Sequence, residues 1–380
     1  MSKNSQIIDF IKNQFPSKDF IPLHEPNFIG REKEYVLDTI ESTFVSSVGA
    51  YVDKFETIMS ELSKTQKAVA VVNGTSALQV ALRLSGVTSG DEVLTQALTF
   101  IATINAIIYN GASPVFLDVD IDTMGLSPNS VQAFLEEYGE LRDGACYNKK
   151  TNKRISACMP MHTFGFPVHL DDLIKICSKW NIPLVEDAAE SIGSEYKGMP
   201  TGSFGKLGVF SFNGNKIVTS GGGGAIVTND LKLGLKAKHL TTTAKVPHPF
   251  EYVHDEIGYN FRMPNLNAAL ACAQLEQLNT FINNKRNLAV EYSYYFESIG
   301  VNFRRELPNT KANYWLMCIE LENKKDRDSF LKETNENKVM TRPIWQLIFR
   351  SPMYLNFQRD AQENAIYLEE RIVNIPSSVR

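Results

Sequence analysis

Apolar residues recur in two rhythms along this chain, and the changes between them mark its elements. Helical spacing runs through 7–15, apolar at 7, 8, 10, 11 and 15, and again through 30–44, apolar at 35, 36, 37, 40 and 44. The stretch VSSVGAY at 45–51 interrupts it, either as a plain connector or as the lining of a ligand cleft, and 52–63 resumes it. From 67 onward short apolar runs alternate with helical segments. The runs at 68–72, 92–95, 114–117, 155–161, 184–186, 209–212 and 225–228 predict strands, and 77–84, 100–109, 130–137 and 170–180 predict helices. This alternation predicts an α/β fold, a large mostly parallel sheet covered by helices on both faces. After about 241 the pattern changes. The segment 245–252 is irregular, 264–281 reads as a long apolar helix running on towards 295, and short strands at 314–321 and 339–343 flank a helix at 327–333. The expected organisation is an N-terminal arm and large α/β domain over 1–244, then a smaller α+β domain over 245–380.

In such sheets ligands collect at the carboxyl ends of the strands. Gly74–Ser76, Asp118, Met161–Gly165, Asp187 and Ser211–Lys216 all fall at such ends. The most unusual stretch follows the run at 209–212. Asn213-Gly214-Asn215 turns the chain, Lys216 stands just beyond, and four glycines at 221–224 precede the next strand. Glycine weakens regular elements and permits positive φ and close backbone approach, so the run is either a tight turn or room for a bulky planar group on the lysine.

Asn73-Gly74-Thr75-Ser76 lies between a strand and a helix, where exposed N–H groups and two hydroxyls suit a phosphate. Thr and Ser also cap helices for structural reasons. Asp187 ends the run PLVED, as a helix cap or as the carboxylate partner of a cationic heterocycle. Lys216 is either a solvated surface group or, in a partly buried cleft, an amine able to form a Schiff base. A phosphate cradle, a strand-end aspartate and a later lysine are together the three anchors of pyridoxal 5′-phosphate (PLP). Phe100 either stacks on its ring or packs in the core.

Composition narrows the class. The 380 residues are 43% hydrophobic and 22% charged, as in water-soluble globular proteins, and the net charge of −4 offers no basic excess for nucleic acid. No apolar run has membrane-spanning length, and the N-terminus lacks the apolar core of a signal peptide. The five cysteines are scattered with no CxxC pair, and the six histidines form no HExxH or HxH cluster. A reducing cytoplasm and no metal centre are expected.

The ordered motifs NGTSAL (73–78), ALTFIATINAI (97–107), PVFLDVD (114–120), VEDAAES (185–191), GVFSFNGNKIVTSGGGGAIVTND (208–230) and GYNFRMPNLNAAL (258–270) extend the picture. With them the chain resembles the sugar aminotransferases of the DegT/DnrJ/EryC1/StrS group, from IPLHEP at 21–26 to NIPSS at 374–378. The resemblance implies fold type I, the aspartate-aminotransferase-like fold. It implies that Lys216 holds PLP as the internal aldimine and that Asp187 pairs with the pyridine nitrogen. Gly74, Thr75 and Ser211 would bind the phosphate, and Phe100 would stack on the ring. Asn260 would reach the phosphate of a neighbouring subunit's cofactor, making a homodimer with shared active sites. Glu190 stands where relatives often carry glutamine or histidine beside the ring and its phenolic oxygen.

Relatives that dehydrate sugars replace the lysine by histidine, so Lys216 favours transamination over a PLP-dependent keto-sugar dehydratase. A non-catalytic PLP-binding regulator is the other alternative. The stretch at 21–52 resembles the branch that aminates C4 of UDP-linked 4-keto-6-deoxy-N-acetylhexosamines for bacillosamine or legionaminic-acid-type sugars. L-Glutamate is the implied donor. The nucleotide-linked keto sugar is expected between Ser46–Tyr51, the segment at 162–166 and the loop at 241–256. His162, Arg262 and Arg342 are candidate contacts, weighed against a packed histidine and ordinary surface salt bridges.

Overall fold

A computed structural model describes residues 2–380. Seven strands form its main sheet: β1 (Lys67–Val71), β2 (Glu92–Gln96), β3 (Ser113–Leu117), β4 (Arg154–Met159), β5 (Val185–Asp187), β6 (Leu207–Ser211) and β7 (Gly224–Thr228). They lie in the order β1-β7-β6-β5-β4-β2-β3, the central β5–β4 join being made by the bridges Cys158–Leu184 and Met161–Asp187. Only β7 runs antiparallel to its neighbours; the other six share one direction. This is the α/β sheet that the alternating pattern predicts.

Successive side chains on a strand point to opposite faces, and here the two faces build two cores. Val93, Phe116, Ala157 and Met159 join a large cluster with Leu78, Ile104 and Ile107. Leu94, Val115, Leu117 and Cys158 join a second, with Leu135 and Leu173 from the helices Pro128–Tyr138 and Leu170–Lys179. Buried on both sides, these strands read as continuous apolar runs. All five cysteines are buried and unpaired.

The structure adds a hairpin that the apolar runs do not announce, Gly139–Arg142 with Ala145–Asn148. Its turn residues Asp143 and Gly144 have φ of 49° and 79°, the two positive values that an Asp-Gly hairpin turn requires. The long helix expected from 264 is two helices, Asn265–Glu276 and Leu278–Ser298. At Gln277 (φ −97°, ψ −2°) the N–H turns to the carbonyl of Gln274, and the first helix ends. The first helix packs against the helices Glu32–Glu41 and Ala50–Ser63.

Four further strands, β8 (Asn302–Phe303), β9 (Met317–Glu320), β10 (Arg342–Pro343) and β11 (Ile372–Ile375), form an antiparallel sheet in the order β8-β9-β11-β10, beside the helix Lys324–Glu336. The central β11 was not expected. Among the described residues no helix is long and apolar enough to cross a membrane.

Candidate active site

The carboxyl ends of β1, β5 and β6 open into one cavity of about 590 Å³, lined among others by Gly74, Thr75, Asp187, Glu190, Ser211 and Lys216. A more open basin of about 740 Å³ around Asp120, His169 and Arg304 holds none of these groups. The smaller cavity is therefore where the candidate chemistry gathers.

At one end lies the start of the helix Gly74–Ser85. Its N-cap, Asn73, accepts from the Ser76 N–H at 2.8 Å. The cap satisfies the third N–H of the helix, while those of Gly74 and Thr75 have no intrahelical partner and carry the positive end of the helix dipole. Ser211, the last residue of β6, closes the cradle. A Cβ on Gly74 would lie 2.9 Å from the Ser211 Cβ, so only glycine lets turn and strand end meet.

Further in is Asp187, 2% exposed. Its Oδ2 accepts from Thr103 Oγ1 at 2.7 Å and its Oδ1 from the Ala189 N–H at 3.2 Å. Burial raises its carboxyl above the ordinary range, opposed by the Thr103 hydroxyl and Ala189 N–H bonds and by the charge of Lys216. A cation lodged against it would restore the ionised form.

The lysine comes from the turn after β6. The Lys216 N–H donates to the Asn213 carbonyl at 3.0 Å, and its side chain is only 12% exposed. Its Nζ lies 3.3 Å from Glu190 Oε1 and 3.8 Å from the centroid of the Trp315 ring. Trp315 Nε1 donates to the Asn215 carbonyl at 2.8 Å, tying the ring to the lysine's own loop. Glu190 Oε2 accepts from the Phe164 N–H at 2.9 Å. Burial pushes the Glu190 carboxyl up to about 7, against the pull of Lys216. Phe100 lines the same cavity and is half exposed; Arg342 lines its outer wall.

The four glycines do not line the cavity; they are needed for a different reason. Gly221 has φ of 74°, and a Cβ on Gly223 would lie 2.4 Å from Ser220 Oγ and 2.8 Å from Met263 Cε. One on Gly224 would fall within 2.8 Å of Asn73 and Gly74 backbone atoms. The run lets β7 press against the back of the phosphate-type turn.

Four candidates are not brought to the cavity. His162 is fully buried, its Nε2 3.0 Å from Glu186 Oε2, and its Nδ1 accepts from the Val168 N–H at 3.3 Å. That acceptor role puts the ring proton on Nε2, donated to Glu186, which also accepts from the N–H groups of Gly202, Phe204 and Gly205. His162 thus pins a turn, and an expected sugar contact becomes an internal one. Ser46 is exposed and accepts from the Asn265 N–H through its carbonyl. Asn260 is exposed, and its Oδ1 accepts from Nε and Nη2 of Arg262 at 3.0 and 2.9 Å. Thr103 and Trp315, which the sequence reading passes over, are central. Thr103 sits three residues after Phe100, and its one signal was a polar residue in a helix that, Asn105 apart, is otherwise apolar or aromatic.

The donor set suits PLP: free helix-start N–H groups for a phosphate, a buried carboxylate for a cationic ring, and a largely buried amine in the same cavity. A sequence model of the DegT/DnrJ/EryC1/StrS aminotransferase family matches residues 27–380. The chain belongs to that family. Its aminotransferases use PLP, and the chain's activity class is sugar aminotransfer. The GDP-perosamine synthase of Escherichia coli O157:H7 is 37% identical over 335 residues, covering 88% of this chain and 87% of that one. The GDP-perosamine synthase of Vibrio cholerae is 34% identical over 363 residues, 94% of each chain. The solved aminotransferase from Psychrobacter cryohalolentis superposes with a TM-score of 0.83 at 27% identity, covering 94% of this chain and 93% of that one. The fold is therefore fold type I.

Proposed function

We propose that this family member transfers an amino group from L-glutamate to C4 of a nucleotide-linked 4-keto-6-deoxy sugar used for bacterial surface glycan or nonulosonic acid biosynthesis. The observation that carries this reading is the shared cavity of Lys216, Asp187 and the Gly74–Thr75 turn. When bound, PLP supplies an aldehyde that condenses with amines and an electron sink for the carbon that gives up its proton. The Gly74 and Thr75 N–H groups with Ser211 would hold its phosphate, and Phe100 would cover its ring. Asp187, braced by Thr103, keeps the ring nitrogen protonated by opposite charge. Lys216 is the amine that would anchor the cofactor, and its Nζ, when free, would be the base that takes the proton from the donor Cα and the acid that returns one to sugar C4.

The stretch at 21–52 favours a UDP-linked 4-keto-6-deoxy-N-acetylhexosamine, whereas the names of the two relatives above carry GDP. Arg342, on the outer wall, is the side chain of this cavity best suited to a nucleotide phosphate. Two chains are proposed to share their sites. Leu37, Ile40, Phe44 and Val48 leave an apolar face exposed along the helix Glu32–Glu41 and its continuation, a patch of the kind that marks an interface. Asn260, outside its own cavity, is then free to serve the neighbour's.

The test is a spectrum of the purified protein followed by mass analysis of products from UDP-, GDP- and dTDP-linked keto sugars with glutamate. An aminated sugar and 2-oxoglutarate are expected, and Lys216→Ala should abolish both the visible absorbance and turnover. Normal turnover by Lys216→Ala would end the reading.

A further inference from the structure

We propose that Glu190 is the base that takes the proton from Lys216 before that lysine bonds to the cofactor aldehyde. The role rests on the cofactor reading above and extends it to a residue whose task the fold leaves open. The geometry is direct: Oε1 lies 3.3 Å from Nζ, with both side chains almost wholly buried. Lys216 cannot attack a carbonyl as an ammonium, so it must lose a proton inside the cavity. The Trp315 ring, 3.8 Å away, holds the cation but cannot accept a proton. Asp187 already accepts from Thr103 Oγ1 and the Ala189 N–H. Glu190 is the carboxylate in contact with the amine.

The chain is bent out of ordinary geometry to aim this carboxylate. Phe164, whose N–H donates to Oε2, has φ 55° and ψ 15°, a left-handed conformation that strains a bulky residue. Gly165 follows at φ 94°, where a Cβ would lie 1.9 Å from Asn313 Oδ1. Asn313 Nδ2 in turn donates to the Glu190 carbonyl at 2.9 Å. Backbone and side chain of Glu190 are both fixed, leaving Oε1 for Lys216.

The surrounding charges agree with a proton acceptor that works near neutrality. Lys216 favours the carboxylate, Asp187 opposes it, and burial is the largest influence, bringing the carboxyl to about 7. His24, on the N-terminal arm near Lys216, is lowered by burial and by the charges of Lys285 and Lys216; Arg342 lines the outer wall. The protons balance as follows. The ammonium of Lys216 gives one proton to Glu190, and the neutral amine forms the C–N bond at the aldehyde carbon. The carbonyl oxygen leaves as water, carrying the proton held by Glu190 and a second from the nitrogen. Nitrogen keeps the third, and Glu190 is again a carboxylate.

The experiment mixes cofactor-free protein with PLP and follows the rate at which the visible band rises, across about pH 5.5 to 9. Borohydride reduction and peptide mass confirm attachment at Lys216. The wild-type rate should climb through neutrality. Glu190→Gln should attach at least about 10-fold more slowly at pH 7, with its rise displaced to alkaline pH. Added formate should speed attachment in Glu190→Ala in proportion to its concentration and leave Glu190→Gln unchanged; circular dichroism checks that both variants fold. Attachment by Glu190→Gln at the wild-type rate and pH profile would overturn this inference and leave the cofactor reading standing. Wild-type protein that attaches no PLP at Lys216 would overturn both.

Discussion

Gly224 and Asn73 meet where no side chain fits: a Cβ on Gly224 would lie 2.6 Å from the Asn73 carbonyl carbon and 2.8 Å from the Gly74 nitrogen. The first residue of β7 is thus the backstop of the helix start that faces the cavity. Gly224→Ala must push that turn forward, so we expect a loss of stability of about 1–3 kcal/mol and a fall in PLP affinity of about tenfold. Gly222 is the internal control. Its nearest neighbour to an added Cβ is the Val72 carbonyl at 3.9 Å, and Gly222→Ala should stay within about 0.5 kcal/mol of wild type. Urea unfolding and PLP titration of both variants decide it. Equal behaviour would show that close approach at Gly224 does not shape the cradle.

Thr103 holds Asp187 by a buried hydroxyl-to-carboxylate bond of 2.7 Å, a bond to a charged group worth about 1.5–3 kcal/mol. Thr103→Val keeps the shape of the side chain and removes the donor. Asp187 then has less reason to stay ionised and aimed at the ring, so PLP affinity and turnover should each fall about 10-fold or more, with Thr103→Ser close to wild type. A Thr103→Val enzyme with unaltered affinity and turnover would show that Asp187 is oriented by other means.

How much of this was legible beforehand depends on the kind of signal. Strands buried on both faces declare themselves as apolar runs, and all seven expected runs end within two residues of the observed strand. The convergence of Gly74, Asp187, Ser211 and Lys216 followed from the rule that parallel strands end together. The hairpin around Asp143-Gly144 was missed although Asp-Gly is a strong turn signal, because its short strands alternate too little to register. His162 shows the opposite failure. A strand-end histidine reads the same whether it faces a cavity or, as here, a buried glutamate; Glu186 is its neighbour only in three dimensions. Trp315 lies 99 residues from Lys216 in the chain, and no local pattern could pair them.

The apolar face of Leu37, Ile40, Phe44 and Val48 makes the assembly testable. Glutamates at both 37 and 40 would bring like charges to a two-fold interface and strand them out of water. The double variant should sediment as a single chain and lose at least about 90% of turnover while keeping its circular dichroism spectrum, since each cavity would lack its neighbour's contribution. A wild-type protein that already sediments as one chain would rule out the shared site.

Lys285 gives a prediction that concerns stability alone. It lies in the helix Leu278–Ser298, is fully buried, and its Nζ donates to the Ser377 carbonyl. Among the described residues no carboxylate forms an ion pair with it. Burial without an opposite charge lowers its amine to about 7, against about 10.4 in an unfolded chain. The sign follows from the direction. A lysine whose folded value is depressed contributes stability fully above its unfolded value, and that contribution is lost as the pH falls towards 7. Near neutrality folding therefore either keeps an ammonium from water or makes the amine give up its proton, and both cost stability. Lys285→Met removes that burden for a gain of about 1–4 kcal/mol, less about 1 kcal/mol for leaving the Ser377 carbonyl without its donor. Urea unfolding should show the variant more stable by about 1–3 kcal/mol at pH 7, with the advantage shrinking as the pH approaches 10. A variant less stable than wild type by the same amount at both pH values would mean that Lys285 binds as many protons folded as unfolded, so that its amine is not depressed, and that its hydrogen bond outweighs the cost of its burial.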